Sequence, residues 1–246
     1  MDRLIYVGMT AAKHTMMQLA AVSQNLANIS TNGFKSDINV FSAIPVYGPG
    51  NPTREFVVNS VAGADLSSGT INHTGNPLDL AVMGDGWFSV KLADGSEAYT
   101  RNGNFKIDPS GILQTSNGLS VVGQDGGTIT IPPNTQVTIA RDGTVSTVPT
   151  GDLPTSVTIL GRLKLVNPKA NQLVKGPDDL FRLTSGKPAE ADANVLINSG
   201  SLEGSNVNMV ASTIDMINLG RSFEMQMKLL QTADSDANKA SELYNV

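Results

Sequence analysis

Apolar residues recurring every seven positions at both ends of this chain constrain its fold more than any other feature. Counting from Met209 gives Met209, Met216, Phe223, Leu230, Ala237 and Tyr244, all apolar or aromatic. A repeat of that period lays one seam along an α-helix. Gly220 is the one glycine after Val207, no proline interrupts the stretch, and Ser205 or Asn206 is placed to cap the first turn. A helix from there to Val246 would run to roughly 55–60 Å, too long to lie inside a domain of ordinary diameter.

The opening residues carry a matching pattern. Ile5, Ala12, Leu19 and Leu26 are spaced by seven, and Met9, Met16, Val22 and Ile29 occupy neighbouring rows. This predicts a helix over about residues 4–29 with one continuous apolar face, capped by Asp2 and closed at residues 30–33, where Gly33 supplies the left-handed geometry of a helix end. Two amphipathic helices at opposite ends of a chain point to one discontinuous helical module. Met9, Met16, Met17, Met209, Met216, Met225 and Met227 all fall in these two segments. Unbranched thioether side chains suit surfaces that meet several neighbours in slightly different geometries. The stripes therefore pack on each other, on other copies, or on both.

Between the helices the signal changes. Residues 34–84, with Pro45, Pro49, Pro52 and Pro77, read as an extended connector. Residues 85–200 read as short antiparallel strands punctuated by turns. Expected strands are 86–92, 97–101, 104–107, 112–115, 119–122, 128–131, 136–140, 144–148, 157–166 and 180–184. Turns are expected at Asp94-Gly95, Asn102-Gly103, 108–111, Asn117-Gly118 and Asp142-Gly143. The fold class is α+β, with a helical module made of 1–33 and 201–246, a connector over 34–84 and a β-rich domain over 85–200. Trp87 or Phe88 belongs to the β-core.

A net charge of −5 argues against general affinity for nucleic acid or anionic membranes. The absence of cysteine removes thiolate and disulfide chemistry. No apolar run reaches the length of a membrane span, and Asp2, Arg3, Lys13 and His14 break up any signal-peptide core. The two histidines, His14 and His73, are too far apart in sequence to form a paired metal motif. Asp234, Asp236 and Asn238 have the alternate spacing of a calcium loop, but Lys239 and Asn245 stand where Gly and Glu are needed. Glu224 and Lys228 read as a helical ion pair. No catalytic residue, cofactor or metal ligand is assigned.

The two ends also carry recognisable motifs. Residues 23–35, Ser-Gln-Asn-Leu-Ala-Asn-Ile-Ser-Thr-Asn-Gly-Phe-Lys, resemble the N-terminal signature of bacterial flagellar rod and hook proteins. Leu202-Glu203-Gly204-Ser205-Asn206, followed by Met216-Ile217 and Arg221-Ser222-Phe223-Glu224, looks like the C-terminal signature of that family. Asn76-Pro77-Leu78-Asp79-Leu80, Gly84-Asp85-Gly86-Trp87-Phe88 and Tyr99-Thr100-Arg101-Asn102-Gly103 resemble its shared middle domain. Met1 to Tyr6 and Phe223 to Lys228 look more like the proximal than the distal rod member. The resemblance implies a non-enzymatic building block of the periplasmic drive shaft, partnered by other copies of itself and by proximal and distal rod proteins. It implies passage through the flagellar export apparatus without a cleaved signal peptide. The subunit interface expected on this basis comprises Ile5, Ala12, Leu19, Asn25, Leu26, Asn28, Gly33, Phe34, Met209, Met216, Arg221, Phe223, Glu224 and Leu230. The alternatives are a distal rod subunit, a secreted β-domain binding module that dimerises through its helices, and an enzyme acting on wall material.

Overall fold

The computed structural model describes residues 4–45, 55–150 and 156–244. Its elements are two α-helices, a 3₁₀ turn at Ala170–Gln172 and seventeen strands, and the contacts divide the chain into two units. One holds Met1–Asn28, Ser36–Asp65 and Val207–Val246; the other holds Ile29–Lys35 and Leu66–Asn206.

The first unit contains helix α1 (Leu4–Ala27), strands β1 (Asp37–Pro45) and β2 (Glu55–Ala64), and helix α2 (Met209–Tyr244). The helices sit where the heptads placed them. The cap of α2 does not: the side chain of Asn208, not of Ser205 or Asn206, accepts the Ala211 amide at 3.1 Å. Asn208 immediately precedes the first helical residue, the position from which a side-chain oxygen reaches a free first-turn amide. Asp2 lies outside the described residues. β1 and β2 pair antiparallel, Asp37 opposite Ala64 and Pro45 opposite Glu55, so much of the stretch read as a connector is a ladder.

In the second unit the strands are β3 (Ile71–His73), β4 (Leu80–Met83), β5 (Trp87–Lys91), β6 (Glu97–Thr100), β7 (Phe105–Ile107), β8 (Leu113–Thr115), β9 (Ser120–Val121), β10 (Thr135–Ile139), β11 (Thr144–Pro149), β12 (Thr158–Arg162), β13 (Leu165–Val166), β14 (Leu173–Lys175), β15 (Phe181–Leu183), β16 (Leu196–Ser199) and β17 (Ser201–Glu203). The largest sheet runs β14-β15-β6-β5-β9-β8-β7, with β13 on β5, and β10-β11-β12 form a second. Leu80, Phe88, Phe105, Leu113, Val145, Leu163, Leu165 and Ile197 form part of one core, and Trp87 is buried beside Phe181.

Three strand expectations change. Residues 128–131 contribute only isolated bridges to Val122 and Ile112. Residues 157–166 split into β12 and β13, because the first joins β11 and the second joins β5. Asn102-Gly103 is not a hairpin turn, since β6 pairs with β5 and β15 while β7 pairs with β8. Gly103 instead passes so close to the Leu80 carbonyl that a Cβ would collide with it. The returning chain closes this unit: β16 pairs with β4 and β17 with β3. Among the described residues no helix is long and apolar enough to cross a membrane.

Candidate assembly interface

Each terminal helix carries two apolar faces. At 3.6 residues per turn, positions three, four and seven apart share a face. On α1 this groups Gly8, Ala12, Thr15, Leu19, Val22 and Leu26, all buried or half-buried. On α2 it groups Ser212, Met216, Leu219, Phe223, Gln226 and Leu230, all half-buried. The two helices pack along these faces in opposite directions. A Cβ on Gly8 would lie 2.7 Å from Leu230 Cδ2, and farther along, Gln226 Nε2 donates to Thr15 Oγ1 at 3.0 Å.

A second face of each helix is apolar too. On α1, Tyr6, Met9 and Met16 are 57–65% exposed; on α2, Val210, Ile214, Ile217 and Met225 are 50–68% exposed. Met9 and Met16 therefore do not extend the Ala12–Leu19 row as expected. Each is about 60° from it around the helix, enough to leave the contact. Scattered exposed apolar residues are ordinary in a soluble protein, but contiguous stripes mark surfaces that meet something.

The heptad residues expected at a subunit interface thus take up the seam within the chain. Ala12 is buried and Leu19, Leu26, Met216, Phe223 and Leu230 are half-buried, whereas Met209, Arg221 and Glu224 are exposed. The side chain of Ile5 lies outside the described residues. Glu224 and Lys228 are both exposed and form no ion pair among the described residues; on a helix surface such a pair is worth only about 0.3–0.5 kcal/mol.

Asn25 and Asn28 have different partners. Asn25 is buried, donates its amide to the Asp37 carbonyl at 3.0 Å and accepts the Asp37 N–H at 2.7 Å. It treats the start of β1 as a neighbouring strand would. Asn28 bonds locally, donating to the Gln24 carbonyl at 3.0 Å.

In the second unit, residues from both terminal motifs meet. Glu203 accepts the Lys35 ammonium at 2.7 Å and the Gly69 N–H at 3.0 Å on one oxygen, and Arg101 at 3.0 Å on the other. All three charged residues are at most 2% exposed. Lys35 also donates to the Ser67 carbonyl and Arg101 to that of Gly84. The Arg101 guanidinium lies 5.2 Å from the centre of the Trp87 ring. Gly33 donates to the Glu203 carbonyl at 2.7 Å. Its φ is +70°, and its Cα lies against the Arg101–Asn102 peptide with no room for a Cβ. Gly33 is thus required by a close approach six residues beyond α1, not by the helix end. Phe34 is buried beneath the Lys175 ammonium, 4.0 Å from its ring centre, and Lys175 donates to the Lys35 carbonyl.

Sequence reading missed this ion cluster. Lys35, Arg101 and Glu203 appeared inside the motifs, yet a lone charge is ordinarily read as solvated. Their one signal was that all three fall inside the terminal and middle motifs of a chain only 16% charged.

Relatives agree with this arrangement of ends and middle. Residues 5–35 match the family model described as flagella basal body rod protein, residues 81–147 the flagellar hook protein FlgE/F/G D1 domain, and residues 198–243 the flagellar basal body rod FlgEFG protein C-terminal model. The flagellar basal-body rod protein FlgF of Escherichia coli is 44% identical and that of Salmonella typhimurium 45%, each aligned over the whole of both chains. The chain belongs to the flagellar basal-body rod protein family. Within that rod family, FlgG of Bacillus subtilis is 32% identical over 95% of this chain and 96% of its own, fewer shared residues than with the FlgF proteins of Escherichia coli and Salmonella typhimurium. The matched segments 5–35 and 198–243 contain both terminal helices and the Lys35 and Glu203 ends of the ion cluster.

Proposed function

We propose that this rod protein is a structural subunit of the proximal rod, built into the periplasmic shaft through the outward faces of its terminal helices. The observation that carries this reading is the presence of two apolar stripes on each of α1 and α2. One set holds the helices to each other. The other, Tyr6, Met9 and Met16 with Val210, Ile214, Ile217 and Met225, is left for neighbours.

In this reading Ala12, Leu19, Leu26, Met216, Phe223 and Leu230 form a short antiparallel coiled-coil seam, with Ile5 in the same row. The seam stiffens the pair so that neighbours meet a rigid surface. Met209, Arg221 and Glu224 contribute to the contact with other rod subunits. Asn25 supports that surface by fixing where β1 starts beside α1, Asn28 closes the last turn of α1, and Gly33 and Phe34 hold the following chain within the second unit. Residues 85–200 form the β-rich domain, and the protein reaches the periplasm through the flagellar export apparatus without losing its first helix. Higher identity to FlgF than to FlgG relatives favours the proximal over the distal position.

The test is a double substitution on the outward face of α2, Ile214→Asp with Ile217→Asp, in a strain whose own copy is deleted. The purified variant is expected to keep native Trp87 emission and helical circular dichroism, while rod completion and swimming are lost. Normal swimming by that strain would overturn the assignment of this face.

A further inference from the structure

We propose that a groove between α1 and α2 receives the outward face of α1 from a second copy, giving a head-to-tail contact; this rests on the rod-subunit reading above. The groove has a volume of about 570 Å³ and lies between α1, α2 and the start of β1. Ala21, Val22 and Leu219 supply its apolar part, while its charged lining residues are Asp37 and Asp215, with no lysine or arginine among them.

The complementary surface is on the same chain. α1 contains no acidic residue from Leu4 to Ala27, and its one lysine, Lys13, is exposed between the exposed Met9 and Met16. Met9, Lys13 and Met16 follow i, i+4, i+7 spacing, one face of a helix. With Ala20 the face extends eleven residues, about 16 Å. The α2 wall of the groove, from Ser212 to Ser222, spans ten residues, about 15 Å. Two methionines against Ala21, Val22 and Leu219, with an ammonium beside Asp215, match it in length and charge. The other candidate occupant, the outward face of α2, brings β-branched Val210, Ile214 and Ile217, which are stiffer than methionine, and sets Glu224 between Arg221 and Lys228, an acid that the face of α1 does not carry.

Donor face and groove are different surfaces, on opposite sides of α1: Met9, Lys13, Met16 and Ala20 on one, Gln18, Ala21, Val22 and Asn25 on the other. Such a contact is heterologous: each copy offers one donor face and one groove, so addition continues until a ring closes or a helical array forms. Two copies exchanging one identical patch would stop as a dimer. The geometry accordingly gives the chain a built-in route to a turn of subunits, with α1 as the transferable element.

Because the protein has no cysteine, single-cysteine variants of the full chain test this directly. Met16→Cys and Ser222→Cys proteins, mixed in equal amounts under mild oxidation, are expected to form mainly the mixed disulfide. Ile217→Cys mixed with Ser222→Cys is expected to give little. Introducing Lys13→Glu beside the first cysteine, or Asp215→Lys beside the second, should lower the mixed-disulfide yield on the order of tenfold at low salt. Combining the two in trans should restore it. A missing mixed disulfide, equal yield from Ile217→Cys, or failure of the charge swap would overturn the proposal. Swimming by the single-cysteine strains separates the two ideas. If they swim but do not cross-link, the groove assignment falls and the rod reading stands; the outward-face double variant tests the latter.

Discussion

Replacing Glu203 by Ala tests the physical account of the ion cluster most directly. The substitution deletes the acceptor of Lys35 at 2.7 Å, of Arg101 at 3.0 Å and of the Gly69 amide at 3.0 Å, and leaves two cations buried. Losing one partner of a buried ion pair costs about 3–5 kcal/mol. The orphaned Gly69 amide adds to this, while the carbonyls of Ser67 and Gly84 still accept from Lys35 and Arg101 and offset part of it, so about 3–5 kcal/mol is the expected total. At about 2–4 °C per kcal/mol for a domain of this size, the melting temperature of the second unit falls by roughly 6–20 °C. Trp87 is the assay: the chain's one tryptophan is buried, 4.5 Å from Phe181 and beneath Arg101. Removing all three charges together, as Lys35→Met, Arg101→Met and Glu203→Leu, should restore much of the loss, since apolar groups of similar volume often replace a buried ion cluster without cost. A shift under about 2 °C for the single variant, or a triple variant as damaged as the single one, would refute the argument that uncompensated buried charge sets the energy.

Other expectations follow from the same geometry. Asn25→Ala unpairs the Asp37 N–H and carbonyl and should cost about 1–3 kcal/mol, read as faster hydrogen exchange at Asp37 and the last turn of α1; unchanged exchange there would contradict the pairing. Gly33→Ala and Gly118→Ala both place a side chain at positive φ, but only Gly33 faces backbone at collision distance, the space around Gly118 being open. Gly118→Ala should therefore show only the strain of a left-handed residue, about 1–3 kcal/mol, and Gly33→Ala distinctly more; equal melting temperatures would remove the close approach as the reason for glycine. Burial raises the pKa of Tyr99, with the hydrogen bond from the Ala189 amide opposing it. The folded state then holds the phenolic proton where the unfolded chain, near pH 10, releases it, so stability is full below that pH and is lost as pH rises through the folded value. Tyr99→Phe should flatten this alkaline loss, monitored by Trp87 emission, and an unchanged slope would assign it to other groups.

How far the fold was legible depended on the range of the interactions involved. Helix positions, most strands from 86 to 148 and the turns at Asp94-Gly95, Asn117-Gly118 and Asp142-Gly143 were readable, because period, left-handed glycines and Asx side chains act within a few residues. The β1–β2 ladder was not. Nor were the pairings of β3 with β17 and β4 with β16, which join residues more than a hundred positions apart and have little local signal. The terminal motifs identified the family, yet not the work of their residues.

Amino-acid order alone therefore settled that this chain has amphipathic helices at both ends, a turn-rich antiparallel middle and no cysteine chemistry. Folding settled which of two apolar stripes on each helix becomes the inner seam, since a heptad count finds a row of contacts without saying what meets it. It also turned Gly33 from a helix stop into a site of backbone contact. Finally, it placed Lys35, Arg101 and Glu203 together away from water, where charges that sequence reads as solvated must neutralise one another, because burial depends on where distant segments come to rest.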